Sequence, residues 1–300
     1  MSGPTTAPPV LVIGGTGKTG RRVATRLSAR GLPVRNGSRA ADPPFDWLDQ
    51  ESWGPVLRGT RSAYVTYHPD LAVPGAVAAI RRFAEAALEN GVNRLVLLSG
   101  RGEEAAQQAE QALIESGADW TILRTSWFSQ NFSESYLADA VSAGEVALPV
   151  GYVGEPFIDV EDIADVALAA LTEDGHVGRL YELTGPRLLT FAEAITEIAD
   201  VTGREIHYAE IPTLEYAAKL EAKGVSTSFI SLATYLFREV MDGRNAWLTD
   251  GVRQVLGREP RDFSEYVRQA AAAGAWGGRS ATDASAVSTV RRSSELVETR

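Results

Sequence analysis

The sequence predicts an α/β fold in which a doubly wound parallel sheet is accompanied by a smaller, mostly helical C-terminal lobe. Short apolar segments typical of buried strands alternate with segments of helical periodicity in the first half of the chain. Four closely spaced glycines follow the first apolar segment, and predicted helices dominate the second half. Alternating strands and helices form right-handed crossovers, which make the strands parallel and place helices on both faces of the sheet.

The individual elements are predicted from periodicity and from the residues that begin or end them. Asp159 fits a helix N-cap, Thr190 with Glu193 fits a capping box, and Gly91 fits a helix end. Strands are predicted at residues 10–13, 32–35, 62–67, 94–98, 120–123 and 179–183. Helices are predicted at residues 21–27, 52–57, 74–90, 103–116, 161–171, 190–202, 213–223, 227–242, 249–256 and 262–274.

The four glycines predict a site for a dinucleotide. Gly15, Gly17 and Gly20 fit the spacing GxGxxG, and Gly14 with the last two fits GxxGxxG equally well. Glycine permits the tight turn and lets backbone N–H groups approach a pyrophosphate at the positive end of the helix dipole. A P-loop is excluded because the first glycine of that motif is missing before Lys18. The segment is therefore interpreted as the first turn of a Rossmann βαβ unit.

The end of the second predicted strand indicates which dinucleotide binds. An NAD-specific site would place a carboxylate there for the ribose 2′-OH, but the first acidic residue of the chain is Asp42. Ser38 and Arg39 stand there instead, and they can hydrogen-bond and pair with a 2′-phosphate. We therefore expect NADP(H) in preference to NAD(H). The alternative is that Arg39 is only a solvated loop charge.

Composition limits the functional classes. The formal net charge of −10 and the pI of about 5.0 argue against a nucleic-acid-binding surface. The absence of cysteine excludes disulfides and thiolate catalysis, and His68, His176 and His207 lack metal-ligand spacing. No apolar run is long enough to span a membrane, and no signal-peptide pattern is found. We expect a cytoplasmic protein with a small-molecule substrate, either a monomer or a dimer.

These observations predict four regions. Residues 1–9 and 276–300 are expected to be disordered tails because they are rich in small and polar residues. Residues 10–155 are expected to form the NAD(P)-binding Rossmann domain. Residues 156–275 are expected to complete the sheet and form the substrate lobe. The ligands should lie in the crevice at the carboxyl ends of the strands.

Several short motifs carry a resemblance to a known family. Besides the glycine segment they are Phe45-Asp-Trp47, Leu97-Leu-Ser99, Trp120-Thr-Ile-Leu-Arg124, Trp127-Phe128, Asn131-Phe132 and Phe157-Ile-Asp-Val-Glu-Asp-Ile-Ala164. With them the chain resembles the NmrA-like atypical short-chain dehydrogenase/reductases over residues 10–275. Within these it resembles the branch of ergot-alkaloid reductases of the festuclavine dehydrogenase type, with quinone oxidoreductase-like members as close relatives.

The resemblance implies roles for residues near the ends of several predicted strands. Those expected at the pyrophosphate are Gly14, Thr16, Gly17, Lys18, Thr19 and Gly20, and those at the 2′-phosphate are Ser38 and Arg39. Those expected near the adenine are Phe45, Asp46 and Trp47, and those near the ribose and nicotinamide are Tyr67 and Ser99. His68 is expected either to contact the cofactor or donate a proton, or to shape the adenine side as a loop residue. Those expected to bind substrate are Trp127, Phe128 and Asn131.

One departure from ordinary short-chain dehydrogenases bears on mechanism. Those enzymes use Tyr-x-x-x-Lys to protonate a developing alkoxide, but none of Lys18, Lys219 and Lys223 has a tyrosine four residues before it. Ser99 is a candidate catalytic residue, and a strand-end hydroxyl that satisfies the backbone is an equally good interpretation. Tyr136 and Tyr152 are possible substitute acids, but packing in the core or on the surface is the favoured interpretation of each. Ordinary alcohol–ketone interconversion is therefore disfavoured.

Two hypotheses about function follow. The protein is either an NADPH-dependent reductase of a flat conjugated acceptor, such as an iminium ion, imine, enone or quinone, or a non-catalytic NADP(H)-sensing regulator that acts through a protein partner. In the first case the protein supplies mainly proximity and orientation, because these acceptors need little acid assistance at the hydride-accepting carbon. The loss of the Tyr/Lys pair fits both hypotheses.

Overall fold

The computed structural model describes residues 7–277, so the predicted tails fall largely outside the described residues, at 1–6 and 278–300. The central sheet has six parallel strands in the order β2-β1-β3-β4-β5-β7, and β6 and β8 form a separate parallel pair. The strands are β1 (Val10–Ile13), β2 (Val34–Gly37), β3 (Ser62–Val65), β4 (Arg94–Gly100), β5 (Asp119–Thr125), β6 (Glu145–Leu148), β7 (Arg179–Leu183) and β8 (His207–Glu210).

The helices connect these strands and form most of the C-terminal lobe. They are α1 (Lys18–Ala29), α2 (Trp53–Leu57), α3 (Ala76–Glu89), α4 (Glu104–Ile114), α5 (Tyr136–Ala143), α6 (Val160–Thr172), α7 (Phe191–Thr202), α8 (Thr213–Ala222), α9 (Thr227–Tyr235), α10 (Gly251–Leu256) and α11 (Phe263–Ala272). The predicted fold class, a doubly wound parallel sheet with a mostly helical lobe, is confirmed.

Both faces of the sheet are covered because successive side chains of a strand point in opposite directions. Leu11 and Ile13 of β1 pack in the core with α2, α3 and α4, whereas Val10 and Val12 pack with α1 and α6. All four residues are at most 1% exposed. This two-sided burial explains why β1, in the interior of the sheet, consists only of apolar residues.

The C-terminal lobe has its own core, which is rich in aromatic residues. Phe132, Phe157, Phe191 and Phe263 pack together with ring centroids 5.1–5.7 Å apart. The parallel pair of β6 and β8 was not predicted from the sequence. Each strand has only four residues, and three residues of β8 are exposed, so no alternation of apolar residues reveals it.

The predicted caps are confirmed, and two boundaries need correction. Asp159 accepts from Glu161 N–H, and Thr190 and Glu193 form a complete capping box. Trp276 was assigned to the C-terminal tail, but it is 1% exposed and its Nε1 donates to the Phe132 carbonyl at 2.8 Å. At the other end, the Pro9 carbonyl accepts from Arg61 N–H, so Pro9 extends the pairing between β1 and β3 by one hydrogen bond.

Candidate functional site

The glycine segment forms a tight loop between β1 and α1. Gly14 has a φ of +71°, in the left-handed region that favours glycine, and Gly17 N–H donates to its carbonyl at 2.8 Å. A Cβ at Gly20 would collide with the same carbonyl, so the helix can start this close to β1 only with glycine there. The loop therefore brings the first turn of α1 against the carboxyl end of the sheet.

The N-terminus of α1 is open to an anion. Its N-cap, Gly17, is exposed and has no side chain to accept from the helix, and the first turn contains no acidic residue. The first N–H groups of a helix have no intrahelical acceptor, and the helix dipole adds partial positive charge at that end. An exposed, uncapped N-terminus behind a glycine loop fits the pyrophosphate of a dinucleotide.

Lys18 and Asn131 were predicted for cofactor and substrate, and the structure brings them together. Lys18 Nζ donates to Asn131 Oδ1 at 2.7 Å. Burial lowers the pKa of Lys18, and the carboxylate of nearby Glu134 opposes that shift. Glu134 also accepts from Arg22 of α1 at 2.8 Å. The lysine thus joins the glycine loop to the segment after β5, and its contact with a pyrophosphate stays a prediction.

The loop after β2 presents a free cation at the same edge of the sheet. Arg39 is exposed, and within residues 7–277 its side chain has no hydrogen bond or ion pair. Arg35, the other arginine of this region, donates to the Val56 and Arg58 carbonyls at 2.8 and 2.7 Å. Partial burial and then the charge of Arg39 lower the pKa of His68, which shows that these two residues lie near each other.

The aromatic residues predicted near the adenine divide into two groups. Phe45 is 3% exposed and packs against Trp53 and Phe83, so its ring belongs to the core and has no free face for a base. This corrects the predicted role of Phe45. Trp47 and Tyr67 are half-buried, with ring centroids 4.9 Å apart, and stay candidates for the adenosine side.

Asp46 organises its own loop. Its Oδ1 accepts from Leu48 N–H at 3.0 Å, and its carbonyl accepts from Trp53 Nε1 at 2.8 Å. These bonds fix the turn that carries Trp47. A direct contact of Asp46 with the cofactor stays a prediction.

Ser99 lies at the carboxyl end of β4, but its hydroxyl already donates a hydrogen bond to a neighbouring carboxylate. It is 4% exposed and donates to Glu110 Oε1 at 2.6 Å. The same oxygen accepts from Arg124 Nε at 3.0 Å, and Arg124 also donates to Glu182 at 3.0 Å. Ser99 is therefore part of a buried polar network between the sheet and α4, a position that favours a structural role over a catalytic one.

The predicted substrate residues Trp127 and Phe128 follow β5 at the same edge. The Trp127 ring packs against Phe191 and Phe237, at centroid distances of 5.8 and 5.4 Å. Its buried indole N–H has no acceptor among the described residues. Phe128 pairs with Ile158 in an isolated parallel bridge. Trp127 therefore lies between the carboxyl end of β5 and the C-terminal lobe, and its Nε1 makes no hydrogen bond with the described residues.

Sequence reasoning missed three charged residues near this edge. Arg101 is 2% exposed, with its guanidinium 4.4 Å from the ring centre of Trp247. Burial raises the pKa of Glu155 to about 7, against a hydrogen bond from Trp127 N–H at 2.9 Å. Glu103 is 6% exposed. Arg101 and Glu103 follow β4 directly, and charged residues at the carboxyl end of a central parallel strand were the available signal.

Two further findings concern classes of site. In the part of the chain that the structure describes, no group of three or more His, Asp or Glu residues is arranged to hold a metal ion. Among residues 7–277, no helix has both the length and the apolar composition that crossing a membrane requires.

Comparison with known proteins agrees with this site. Residues 14–174, which include the glycine loop and strands β2 to β6, match the family described as NAD(P)H-binding. An agroclavine dehydrogenase of Claviceps fusiformis is 32% identical over 277 residues, covering 86% of this chain and 96% of the relative. An NAD(P)H azoreductase of Xenophilus azovorans is 30% identical, covering 88% and 98%.

Solved structures share the fold at lower identity. A Citrobacter triphenylmethane reductase complexed with NADP(H) has a TM-score of 0.70 and 20% identity, covering 87% of this chain and 99% of that one. NmrA, a negative transcriptional regulator in complex with NAD, has a TM-score of 0.61 and 18% identity, covering 88% and 95%.

The chain therefore belongs to the NAD(P)H-binding family, and it shares the fold of NmrA. Its matched relatives include a dehydrogenase and an azoreductase, each covered over nearly its whole length, and the chain is an oxidoreductase.

Proposed function

We propose that the protein is an NADPH-dependent reductase of small, flat conjugated acceptors: iminium ions or imines, enones or quinones. The observation that carries this proposal is the state of Ser99. Its hydroxyl is tied to Glu110, and the sequence has no Tyr-x-x-x-Lys pair, so the usual means of protonating an alkoxide is missing. Conjugated acceptors need less acid assistance than a simple ketone, because the accepted electron pair is delocalised or neutralises a positive charge.

The residues present fit the cofactor. The exposed N-terminus of α1 would hold the pyrophosphate, and Ser38 and Arg39 would hold the 2′-phosphate. NADPH, when bound, supplies the hydride. The protein would orient the nicotinamide at the carboxyl ends of β3 to β5, where Trp127 borders the lobe. That relatives are named an agroclavine dehydrogenase and an azoreductase supports acceptors of this kind.

The proposal is tested by following loss of the near-ultraviolet absorbance of NADPH with four acceptors: an N-alkyl iminium salt, a cyclic enone, a quinone and a saturated ketone. We expect turnover with at least one conjugated acceptor and none with the ketone. Equal or faster turnover of the ketone would overturn the proposal, since it would show that the missing Tyr/Lys pair does not restrict the protein to conjugated acceptors.

Replacing Arg39 with alanine tests the preference for NADP(H). We expect the Kd of NADPH to rise by more than about tenfold, ~1.4 kcal/mol, and the Kd of NADH to change by less than about twofold. The cause is loss of one charge-assisted pair with the 2′-phosphate. Arg82→Ala removes the same charge from an exposed position on α3 and serves as the control. Equal effects on both coenzymes would refute the assignment.

A regulator that senses NADP(H) is the second candidate function. The missing Tyr/Lys pair is compatible with it, whereas the relatives named as a dehydrogenase and an azoreductase favour the reductase. Tight NADPH binding by a well-folded protein, without turnover of any conjugated acceptor, would support the regulator. Capture of a partner that depends on the redox state of the dinucleotide would then be the next measurement.

A further inference from the structure

A buried carboxyl group lies just after the carboxyl end of β4, and no positive charge among residues 7–277 compensates it. Glu103 is the N-cap residue of α4, yet its side chain does not accept from the N–H groups of the helix. The residue is 6% exposed, and Oε2 has no hydrogen-bond partner within residues 7–277. Burying a carboxylate in this way is costly, so the group must hold a proton or face a ligand.

The ionisable groups that face Glu103 are acidic. They are Asp70 from the β3–α3 connection, Glu110 from α4 and the phenol of Tyr235 at the end of α9. Arg124 forms its ion pair with Glu110. Arg244, which lies near Tyr235, is exposed and forms an ion pair with Asp242 at 2.8 Å. No cation therefore neutralises Glu103 in the described part of the chain.

These surroundings decide the protonation state of Glu103. Burial, followed by the charge of Asp70, a hydrogen bond with Asp70 and the charge of Glu110, raises the pKa of Glu103 to about 9. At neutral pH Glu103 therefore holds a proton. A proton that is held at pH 7 and can be released to a stronger base is what general acid catalysis requires.

The position of the pair matches the proposed reaction site. The carboxyl of Glu103 lies against the backbone of Gly100, the last residue of β4, where any Cβ would collide with it. Asp70 follows Tyr67 and His68 at the end of β3. The pair thus bridges the carboxyl ends of two neighbouring parallel strands, at the edge where α/β folds bind their ligands.

We propose that Glu103, which lies beside Asp70, donates the proton to neutral acceptors in the active site. This inference rests on the proposed reductase function. The hydride adds one hydrogen and two electrons to the electrophilic carbon, and the displaced π-electron pair moves to the nitrogen of an imine or the oxygen of an enone. That atom takes the proton of Glu103, which becomes a carboxylate and is reprotonated from solvent. An N-alkyl iminium ion needs no proton, because hydride addition alone gives a neutral amine.

Glu103→Gln tests the role, since glutamine keeps the shape and the hydrogen-bond donor but cannot release a proton. We expect enone turnover (kcat) to fall by about a hundredfold and N-alkyl iminium turnover to change by less than about twofold. Glu104→Gln, at an exposed neighbouring position, should leave both rates unchanged. Equal losses with both acceptors, or no loss with the enone, would overturn the donor role.

The pH dependence gives a second readout. Enone reduction by the wild type should decline as pH rises through about 9, where Glu103 loses its proton, and this decline should be missing in Glu103→Gln. Iminium reduction should show no such decline in either protein. An alkaline decline that persists in the variant would assign it to another group and contradict the proposal.

A measurement on the cofactor-free protein separates this inference from the proposed function. Difference infrared spectra taken across about pH 9, above the range in which Glu155 loses its proton, should show the carbonyl band of a protonated carboxylic acid in the wild type and in Glu104→Gln, but not in Glu103→Gln. Absence of the band in the wild type would refute a protonated Glu103. If the band is present but the wild type reduces none of the tested acceptors with NADPH, the proposed function is wrong and the donor role is rejected with it. If the wild type is active and Glu103→Gln is equally active with the enone, only the donor role is wrong.

Discussion

Replacing Gly17 with valine is expected to abolish NADPH binding while leaving the protein folded. The φ of −78° and ψ of 178° at Gly17 are ordinary for a β-branched residue, and an added Cβ would meet only the Gly14 carbonyl, at 3.2 Å. The isopropyl group would instead fill the exposed space before the first N–H groups of α1. We expect the Kd of NADPH to rise at least about a hundredfold, ~2.8 kcal/mol.

Calorimetric titration with NADPH and a thermal melt of the free protein check both parts of this expectation. Gly20→Ala is the instructive comparison, because its Cβ would collide with the Gly14 carbonyl and disturb the loop itself. That variant should lose stability as well as binding. NADPH binding by Gly17→Val within tenfold of the wild type would show that the helix N-terminus does not hold the pyrophosphate.

Replacing Arg124 with methionine is expected to lower the free energy of unfolding by about 3–5 kcal/mol. Methionine retains much of the side-chain volume, but the Glu110 carboxylate, whose side chain is 3% exposed, would lose its charged partner. The Ser99 hydroxyl alone cannot compensate a buried charge. Urea denaturation of the variant and the wild type at neutral pH measures the difference.

Arg81→Met is the matched control for this loss. Its pair with Glu115 spans 3.4 Å between side chains that are about half exposed, so removing it should cost at most about 1 kcal/mol. A comparable small loss in Arg124→Met would mean that the network around Ser99 is not electrostatically isolated from water. The structural interpretation of Ser99 would then lose its main support.

Local patterns were sufficient to predict the cofactor half of the molecule. The β1–glycine–α1 unit, the apolar strand β4 and the cap at Asp159 each depend on residues that are close together in sequence. Tyr67 and Trp127 follow predicted strands, so the parallel topology alone places them at one edge of the sheet.

The missed features depend on contacts between distant segments. Asp70 and Glu103 come together because they follow the neighbouring strands β3 and β4, and nothing near either residue in the sequence marks the pair. Phe45 belongs to the core because Trp53 and Phe83 surround it, a fact that its loop position conceals. Trp276 follows α11 in a stretch of small residues, and its burial depends on the Phe132 carbonyl and on Tyr266, against which its ring packs.

The central claim is that this protein transfers a hydride directly from NADPH to a conjugated acceptor. The most direct test mixes excess protein with NADPH deuterated at both C4 positions and a cyclic enone, and determines the position of the label by NMR of the product. We expect one deuterium at the β-carbon for each NADPH consumed, and solvent hydrogen at the α-carbon. NADPH left intact in the presence of enone, iminium salt and quinone, or a product without deuterium at the β-carbon, would contradict the account.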